Sequence, residues 1–209
     1  MMSMTEVGLR ERKKERTRHA LQREALRLFT EKGYAETTVA EIAAAADVST
    51  KTLFNYFRGK EDILFAHRRQ RIDVVEAKLA EHTATLSPRD ALLATANDLL
   101  HLLLEGDSGG TGAEQIAQGR LILSVPELRG AALSLLHEAQ LRLATVLHNA
   151  YPGVLTQAEA AAAVGALIGA MQSAGLSAIL PSGSTSDAYA AAREAVRVVT
   201  RGLDGLPHA

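Results

Sequence analysis

The spacing of apolar residues along this chain most constrains its fold, because the spacing is helical almost throughout. Near the N-terminus, Leu21, Ala25 and Leu28 recur at intervals that place them on one helical face. No stretch of useful length alternates apolar and polar residues as a half-buried strand does. Alanine and leucine dominate, and only 4% of residues are aromatic, a composition that favours helices. The sequence therefore predicts an all-α fold.

Capping signals divide the chain into about nine helices. Gly33 is placed to end the first helix, and Thr38 followed by Glu41 has the form of a capping box. Ser49 is the expected cap of a second short helix, and Asp47 before it tolerates the left-handed conformation of a tight turn. The predicted helices cover about residues 11–32, 38–45, 49–56, 60–82, 88–103, 113–123, 126–149, 157–179 and 187–203, the last capped by Ser186.

Charge is divided unevenly between the two parts of the chain. The 209 residues have a net charge of −1, but residues 1–71 have a balance of +5 and residues 72–209 a balance of −6. Six basic residues lie between Arg10 and Arg18. A basic arm of this kind attracts phosphate, and it is equally compatible with a solvated tail.

Composition excludes several classes of protein. Cysteine is absent, which removes disulfides and thiolate metal sites and favours a cytoplasmic location. The N-terminus lacks the apolar core of a secretory signal. Residues 158–180 are mostly alanine and glycine and include Glu159 and Gln172, so we interpret them as a buried helix rather than a membrane span.

The two short helices and the turn between them have the form of a helix-turn-helix. Val39, Ile42, Leu53 and Phe57 would pack against the first helix as a three-helix core. The opposite side of the second short helix then presents polar donors that can enter a major groove, where base edges are distinguishable. These outward residues are Thr50, Lys51, Thr52 and Asn55.

The same region resembles the DNA-binding domain of the TetR/AcrR family of bacterial transcriptional regulators. The resemblance covers residues 16–66 and depends on the run Thr37-Thr38-Val39, Ile42-Ala43, Val48-Ser49, Thr52-Leu53-Phe54, Tyr56-Phe57 and Lys60-Glu61 at fixed spacing. It implies a basic arm over residues 1–18, a helix-turn-helix domain over residues 11–66 with its motif at 38–57, and a helical effector-binding and dimerisation domain over residues 67–209.

The resemblance also implies roles for individual residues. Thr38 would bind a phosphate, Thr50, Lys51 and Thr52 would contact bases, and Tyr56 and Lys60 would hold backbone phosphates. Two positions depart from the family pattern: Phe54 stands where the family often has Tyr, which leaves contact with a thymine methyl, and Asp47 replaces a common Gly. The candidate DNA-binding residues are Arg16, Arg18, Thr38, Val39, Ser49, Thr50, Lys51, Thr52, Phe54, Asn55, Tyr56 and Lys60.

The second part of the chain has candidate residues for an effector pocket and for a dimer interface. Polar or flexible residues among its leucine-rich helices are the pocket candidates: His101, Gln115, Arg120, His137, Arg142, Met171 and Gln172. An anionic effector could meet Arg120 or Arg142, although the pattern favours an ordinary salt-bridge partner for each. Small residues would let helices of two subunits approach closely, and packing within one chain is the alternative. The dimer candidates are Gly165, Gly169, Ala174, Val196 and Val199.

These patterns predict a transcriptional regulator and not an enzyme. The resemblance implies that it binds a palindromic DNA operator as a homodimer, acts as a repressor, and is released by a small-molecule effector. No cofactor or metal is expected, since the seven histidines lack metal-ligand spacing. Two alternatives remain: a helical scaffold that binds only proteins, and a serine hydrolase built on Ser108 in Gly106-Asp107-Ser108-Gly109-Gly110, which lacks the strand that a nucleophile elbow requires.

Overall fold

A computed structural model describes residues 4–104, 112–182 and 184–203 of the chain, and these residues form nine α-helices and no strand. The all-α prediction is therefore confirmed. Ser108 and its glycines lie outside the described residues. The helices are α1 (Met4–Lys32), α2 (Val39–Ala45), α3 (Thr50–Phe54), α4 (Lys60–Thr83), α5 (Pro88–Leu104), α6 (Gly112–Ser124), α7 (Pro126–Ala150), α8 (Gln157–Ser182) and α9 (Thr185–Leu203).

The chain divides into two compact units. The first unit comprises residues 1–67 and 108–129, and the second comprises residues 68–107 and 130–209. One division between the two units falls after His67. Helix α6 (Gly112–Ser124), which the sequence analysis placed with the second domain, groups with the first unit, where it lies against α1.

The core of the first unit is the three-helix arrangement expected of a helix-turn-helix. Leu21 of α1, Ile42 of α2 and Leu53 of α3 are fully buried, and Phe29 and Phe57 are nearly so. Burying a large apolar side chain stabilises the folded state by about 1.5–3 kcal/mol. Only one side of α3, the side that carries Leu53, is therefore packed into this core.

Local capping sets the boundaries of α2 and α3. Thr38 and Glu41 form a complete capping box, and the Ser49 side chain accepts a hydrogen bond from the Thr52 backbone N–H at 3.0 Å. Asp47 in the turn has a φ of 54°, and Gly33 after α1 has a φ of 95°. Both values lie in the left-handed region, which aspartate visits occasionally and glycine freely.

An apolar cluster forms the core of the second unit. Side chains of α5, α7 and α8 dominate it, among them Leu92, Leu147 and Val164, and α9 contributes Ala192. Helices α8 and α9 pack along each other closely enough that a Cβ at Gly175 would lie 3.7 Å from the Ala188 carbonyl oxygen. Small residues therefore permit close helix approach within the chain itself.

Several predicted helix ends differ from the structure, and α8 runs to Ser182 rather than to residue 179. Helix α1 begins at Met4 rather than at residue 11, so the basic segment is itself helical. Helix α3 ends at Phe54, two residues early. The cap of α9 is Ser184, whose side chain accepts from the Asp187 backbone N–H at 3.2 Å, so the expectation for Ser186 is wrong. Both serines suit a cap, but only Ser184 has the acid three residues later.

Candidate nucleic-acid interface

The outer side of α3 carries the residues that the sequence predicts to contact bases. Thr50, Lys51 and Asn55 are exposed, whereas the neighbouring Leu53 is fully buried. Phe54 is 57% exposed, an unusual position for a phenylalanine beside a packed core. Because Leu53 anchors the helix from beneath, the polar residues and the Phe54 ring are presented together to a ligand outside the unit.

Thr52 is held differently from its neighbours on α3. Its hydroxyl lies 2.8 Å from the Ser49 hydroxyl, and it is only half-exposed. A hydroxyl rotates freely to suit its partners, so this pair can donate one further hydrogen bond. The arrangement orders Ser49 and Thr52 as one polar group at the start of α3.

Thr38 at the start of α2 has its hydrogen-bonding groups engaged within the capping box. Its backbone N–H and hydroxyl both donate to Glu41 Oε2, at 2.8 and 2.9 Å. The Lys32 ammonium, followed by the Thr38 backbone N–H and hydroxyl, lowers the pKa of Glu41 to about 2. A phosphate reaching Thr38 would thus displace a carboxylate that stays ionised down to strongly acidic pH. Val39, the next residue, is half-buried.

Lys60 at the start of α4 binds backbone oxygens that follow α1. Its Nζ donates to the Tyr34 carbonyl at 2.8 Å and to the Ala35 carbonyl at 3.3 Å, and lies 4.6 Å from the centre of the Tyr34 ring. Burial, followed by the charge of Glu61, raises the pKa of the Tyr34 phenol. Lys60 therefore stabilises the turn that follows α1 in the first unit, whether or not it also contacts DNA.

The remaining phosphate candidates lie on α1 and next to Phe57. Arg16 is exposed. The Arg18 guanidinium lies 5.4 Å from the centre of the Phe57 ring, and its Nε is buried without a hydrogen-bond partner in the part of the chain that the structure describes. Tyr56 is half-buried, with its ring centre 6.4 Å from that of Phe57. The Arg18 guanidinium and the Tyr56 ring thus both lie beside the buried Phe57 ring.

The second unit contains a small apolar cavity. Its volume is about 30 Å³, and its walls come from α4, α5, α7 and α8. Thr95 is the one polar residue of the lining, and its hydroxyl donates to the Ala91 carbonyl at 2.8 Å. The lining residues are Val75, Leu79, Leu92, Thr95, Ala96, Leu99, Leu143, Val164, Leu167, Ile168 and Met171.

Comparisons with known proteins identify the first unit. Residues 22–67 match the family described as bacterial regulatory proteins, tetR family. The chain is 35% identical over 141 residues to the HTH-type transcriptional regulator TcmR of Streptomyces glaucescens, which covers 67% of this chain and 62% of TcmR. The chain belongs to the TetR family. The match spans less than two thirds of the length of TcmR.

Solved structures of TetR-family proteins share the whole fold. A transcriptional regulator from Mesorhizobium loti MAFF303099 has a TM-score of 0.59 at 20% identity, over 90% of this chain and 96% of that one. SmeT of Stenotrophomonas maltophilia, in complex with triclosan, has a TM-score of 0.58 at 14% identity, over 89% and 90% of the two chains. At these identities the likeness concerns the fold alone.

In this TetR-family chain the cavity and the predicted pocket residues coincide at one position, Met171. His101, His137 and Arg120 are exposed, and Arg120 and Gln115 belong to the first unit. Gln172 is half-buried but does not line the cavity. These differences have one physical cause: the polar residues lie on the helix sides that face away from the apolar core.

Arg142 also lies outside the cavity, as an ion-pair partner. Its Nη2 donates to Asp73 Oδ1 at 2.7 Å and to Glu76 Oε2. The hydrogen bonds that Arg142 donates to Asp73, and then to Glu76, raise the pKa of its guanidinium. The salt-bridge interpretation of this residue therefore holds, and its charge is already matched by two carboxylates.

The dimer candidates fall into two groups. A Cβ at Gly165 or Gly169 would meet nothing within 4 Å, so this side of α8 is open in the single chain. Val196 and Val199 instead pack against the core of the second unit, as the alternative of packing within one chain expects. Ala174 is half-buried.

Helix α8 combines features of a core helix with an open side. Over Gln157–Ile179 it is long and apolar enough to cross a membrane, judged by length and composition alone. Its Ala160, Val164 and Leu167 side chains are buried in the core of the second unit, and core helices pass the same test.

Among the described residues no group of three or more acidic or histidine side chains could hold a metal ion.

Sequence reasoning missed the apolar cavity and the structural role of Lys60, and it did not identify the partners of Arg142. Leucines and valines at helical spacing indicate a core, and nothing in their order shows where that core leaves a gap. The partners of Arg142 lie 69 and 66 residues away along the chain. The one signal in the sequence was the acidic pair Asp73 and Glu76, which lie on one side of α4 at i,i+3 spacing.

Proposed function

We propose that this TetR-family chain is a sequence-specific DNA-binding regulator that represses transcription from a palindromic operator. The observation that carries the proposal is the side of α3 on which Thr50, Lys51, Phe54 and Asn55 are exposed above a buried Leu53. These residue types suit the major groove, where donors and acceptors identify each base pair and an apolar ring can contact a thymine methyl. The family match over residues 22–67 supports the same role.

The regulator acts as a homodimer in the cytoplasm. Two recognition helices must lie about 34 Å apart to contact successive major grooves, and a two-fold dimer meets a palindrome with that spacing. The open side of α8 around Gly165 and Gly169 supports a dimer interface there, because small residues let helices approach closely.

An uncharged, largely apolar molecule is the effector that releases the operator. The cavity of the second unit supports this chemical class, since its lining is apolar apart from Thr95. Arg142, which an anionic effector would use, is already paired with two carboxylates. A complex of SmeT with triclosan exists, so a protein of the same fold binds a small molecule.

The test is binding of the purified protein to a duplex carrying the intergenic DNA upstream of its own gene. Affinity is measured at two salt concentrations, beside a duplex of scrambled sequence. We expect tight, salt-sensitive binding that prefers the native duplex, because phosphate contacts release counterions and base contacts discriminate sequence. The Thr50→Ala variant should lose that preference while it retains most of its affinity for the scrambled duplex.

Other results would redirect the proposal. Equal binding to both duplexes would reduce the function to electrostatic attraction. Absence of binding to either duplex at low salt would favour the alternative of a helical protein-interaction scaffold. The serine-hydrolase alternative has no observation in its favour among the described residues.

A further inference from the structure

A three-residue ion-pair cluster lies beside the cavity of the second unit. Val75 of α4 and Leu143 of α7 both line the cavity. Arg142, next to Leu143, bonds to Asp73 and Glu76, which flank Val75 along the sequence. We call these three residues, Arg142, Asp73 and Glu76, the Arg142 clamp. It joins α4 and α7 where each helix contributes an apolar side chain to the cavity.

The cavity is too small for a regulatory ligand as it stands. Its volume is about 30 Å³, whereas sites for small organic ligands have roughly 300–1,000 Å³. A ligand can therefore enter only if a wall of the cavity moves. The wall that moves is the one whose displacement costs the least free energy.

Between residues 70 and 80, helix α4 has two buried residues, Val75 and Leu79, and both line the cavity. Beyond Val75 and Leu79, its residues Asp73, Val74 and Ala77 are exposed to solvent. Helix α8, in contrast, packs along α9 on the side away from the cavity. Displacing α8 would expose buried apolar area, and displacing α4 outward exposes little beyond its cavity side.

The far end of this α4 segment has separate attachments. His82 Nε2 lies 2.8 Å from Asp98 Oδ2 of α5, and the Tyr151 hydroxyl donates to the Leu86 carbonyl at 2.6 Å. These contacts hold the C-terminal end of α4, beyond Leu79. Outward movement at Val75 would leave them in place and would separate Arg142 from Asp73 and Glu76.

We propose that the Arg142 clamp keeps the cavity narrow and thereby sets the apparent affinity of the regulator for its effector. The proposal rests on the function given above, in which this cavity takes the effector. A ligand that binds only the open form has its affinity reduced by the fraction of protein that is open. Removing the clamp raises that fraction, so ligand binding becomes tighter.

The probe for the test is N-phenyl-1-naphthylamine, an uncharged apolar dye that fluoresces more strongly in apolar surroundings. Arg142→Met keeps the aliphatic stem and removes the charge. Lys78→Met is the matched control, because the hydrogen-bonded Lys78–Glu81 ion pair at 3.0 Å lies within α4. We expect Arg142→Met to bind the dye about two- to fivefold more tightly than the wild type, the range for a partly exposed ion pair. Lys78→Met should match the wild type.

Salt and a second variant test the clamp without removing Arg142. Raising sodium chloride screens partly exposed charges, so dye binding by the wild type should tighten and that of Arg142→Met should change less. The double variant Asp73→Asn, Glu76→Gln breaks the clamp from the other side and should reproduce the gain. Its circular dichroism should match that of the wild type, which shows that the helices are intact.

Equal dye affinities of the wild type, Arg142→Met and the double variant would overturn the proposal. So would a failure of all of them to bind the dye. Operator binding by the same preparations distinguishes a failure of the Arg142 clamp from a failure of the proposed DNA-binding function. If the wild type binds its operator and the clamp variants show no gain in dye affinity, only the clamp is refuted. If the wild type binds no DNA, the proposed function fails as well.

Discussion

Two adjacent residues of α3 have opposite environments, and this contrast decides what each does. Leu53 is fully buried and Phe54 is 57% exposed. We predict that Phe54→Ala leaves the free energy of unfolding nearly unchanged and weakens operator binding by about 1–3 kcal/mol, the range for one good base contact. Thermal unfolding and a fluorescence titration with labelled operator measure the two effects.

Leu53→Ala is the control for this prediction. Truncating a buried leucine destabilises a protein by about 2–5 kcal/mol, so this variant should unfold at a markedly lower temperature. A similar loss of stability in Phe54→Ala would show that Phe54 belongs to the core and would contradict its role at the interface.

Lys60 combines a structural and a proposed DNA-binding role in one ammonium group. We predict that Lys60→Ala lowers the free energy of unfolding by about 1 kcal/mol, because the hydrogen bonds to the Tyr34 and Ala35 carbonyls are lost. It should also weaken binding to native and scrambled duplexes alike and flatten the salt dependence, since a phosphate contact carries no base information.

Lys51→Ala provides the comparison for Lys60. Lys51 is exposed on α3, so its loss should leave stability unchanged and reduce the preference for the native duplex. A Lys60→Ala protein that loses affinity for the native duplex alone would contradict a phosphate contact.

At the scale of helices, most of the first unit could be predicted from sequence because its determinants are local. The capping box of Thr38 and Glu41, the Ser49 cap and the left-handed Asp47 each depend on residues within a few positions. The start of α1 was missed because a charged, solvent-exposed segment has no apolar period to mark it. The cap of α9 was placed at Ser186, although the acid three residues after Ser184 favours Ser184 as the cap.

The open side of α8 gives a prediction about assembly. A Cβ at Gly169 meets nothing within 4 Å in the single chain, so a large side chain can be accommodated there without repacking the second unit. We predict that Gly169→Arg retains the helical content of the wild type but is monomeric at concentrations where the wild type is a dimer. Sedimentation velocity measures the change.

Gly130→Arg is the matched control for the assembly prediction. Gly130 on α7 also has open space around its Cβ position and lies outside the proposed interface. If Gly169→Arg remains a dimer, or if Gly130→Arg dissociates equally, the interface lies elsewhere on the second unit.

For the whole molecule, a division into two parts could be predicted from sequence, but the position of the cavity could not. The charge contrast between residues 1–71 and 72–209 indicated a DNA-binding part and a part with another role. The cavity instead results from long-range packing of four helices, and its residues are those that any core would use. The sequence analysis chose mostly polar residues as pocket candidates, because polar residues are rare among the leucine-rich helices of the second part of the chain. Of those candidates, only the apolar Met171 lines the cavity.

If a ligand in the cavity changes the affinity of the protein for its operator, then the operator must change the affinity for that ligand by the same factor. An apolar effector that lowers operator affinity by a given factor requires that saturating operator lower effector affinity by the same factor, roughly 5- to 150-fold in known cases. We predict this equality for N-phenyl-1-naphthylamine and the operator duplex. Two titrations measure it: dye into protein with and without saturating operator, and operator into protein with and without saturating dye. Scrambled duplex at low occupancy is the control. Dye and operator that bind without affecting each other would show that the cavity does not regulate DNA binding.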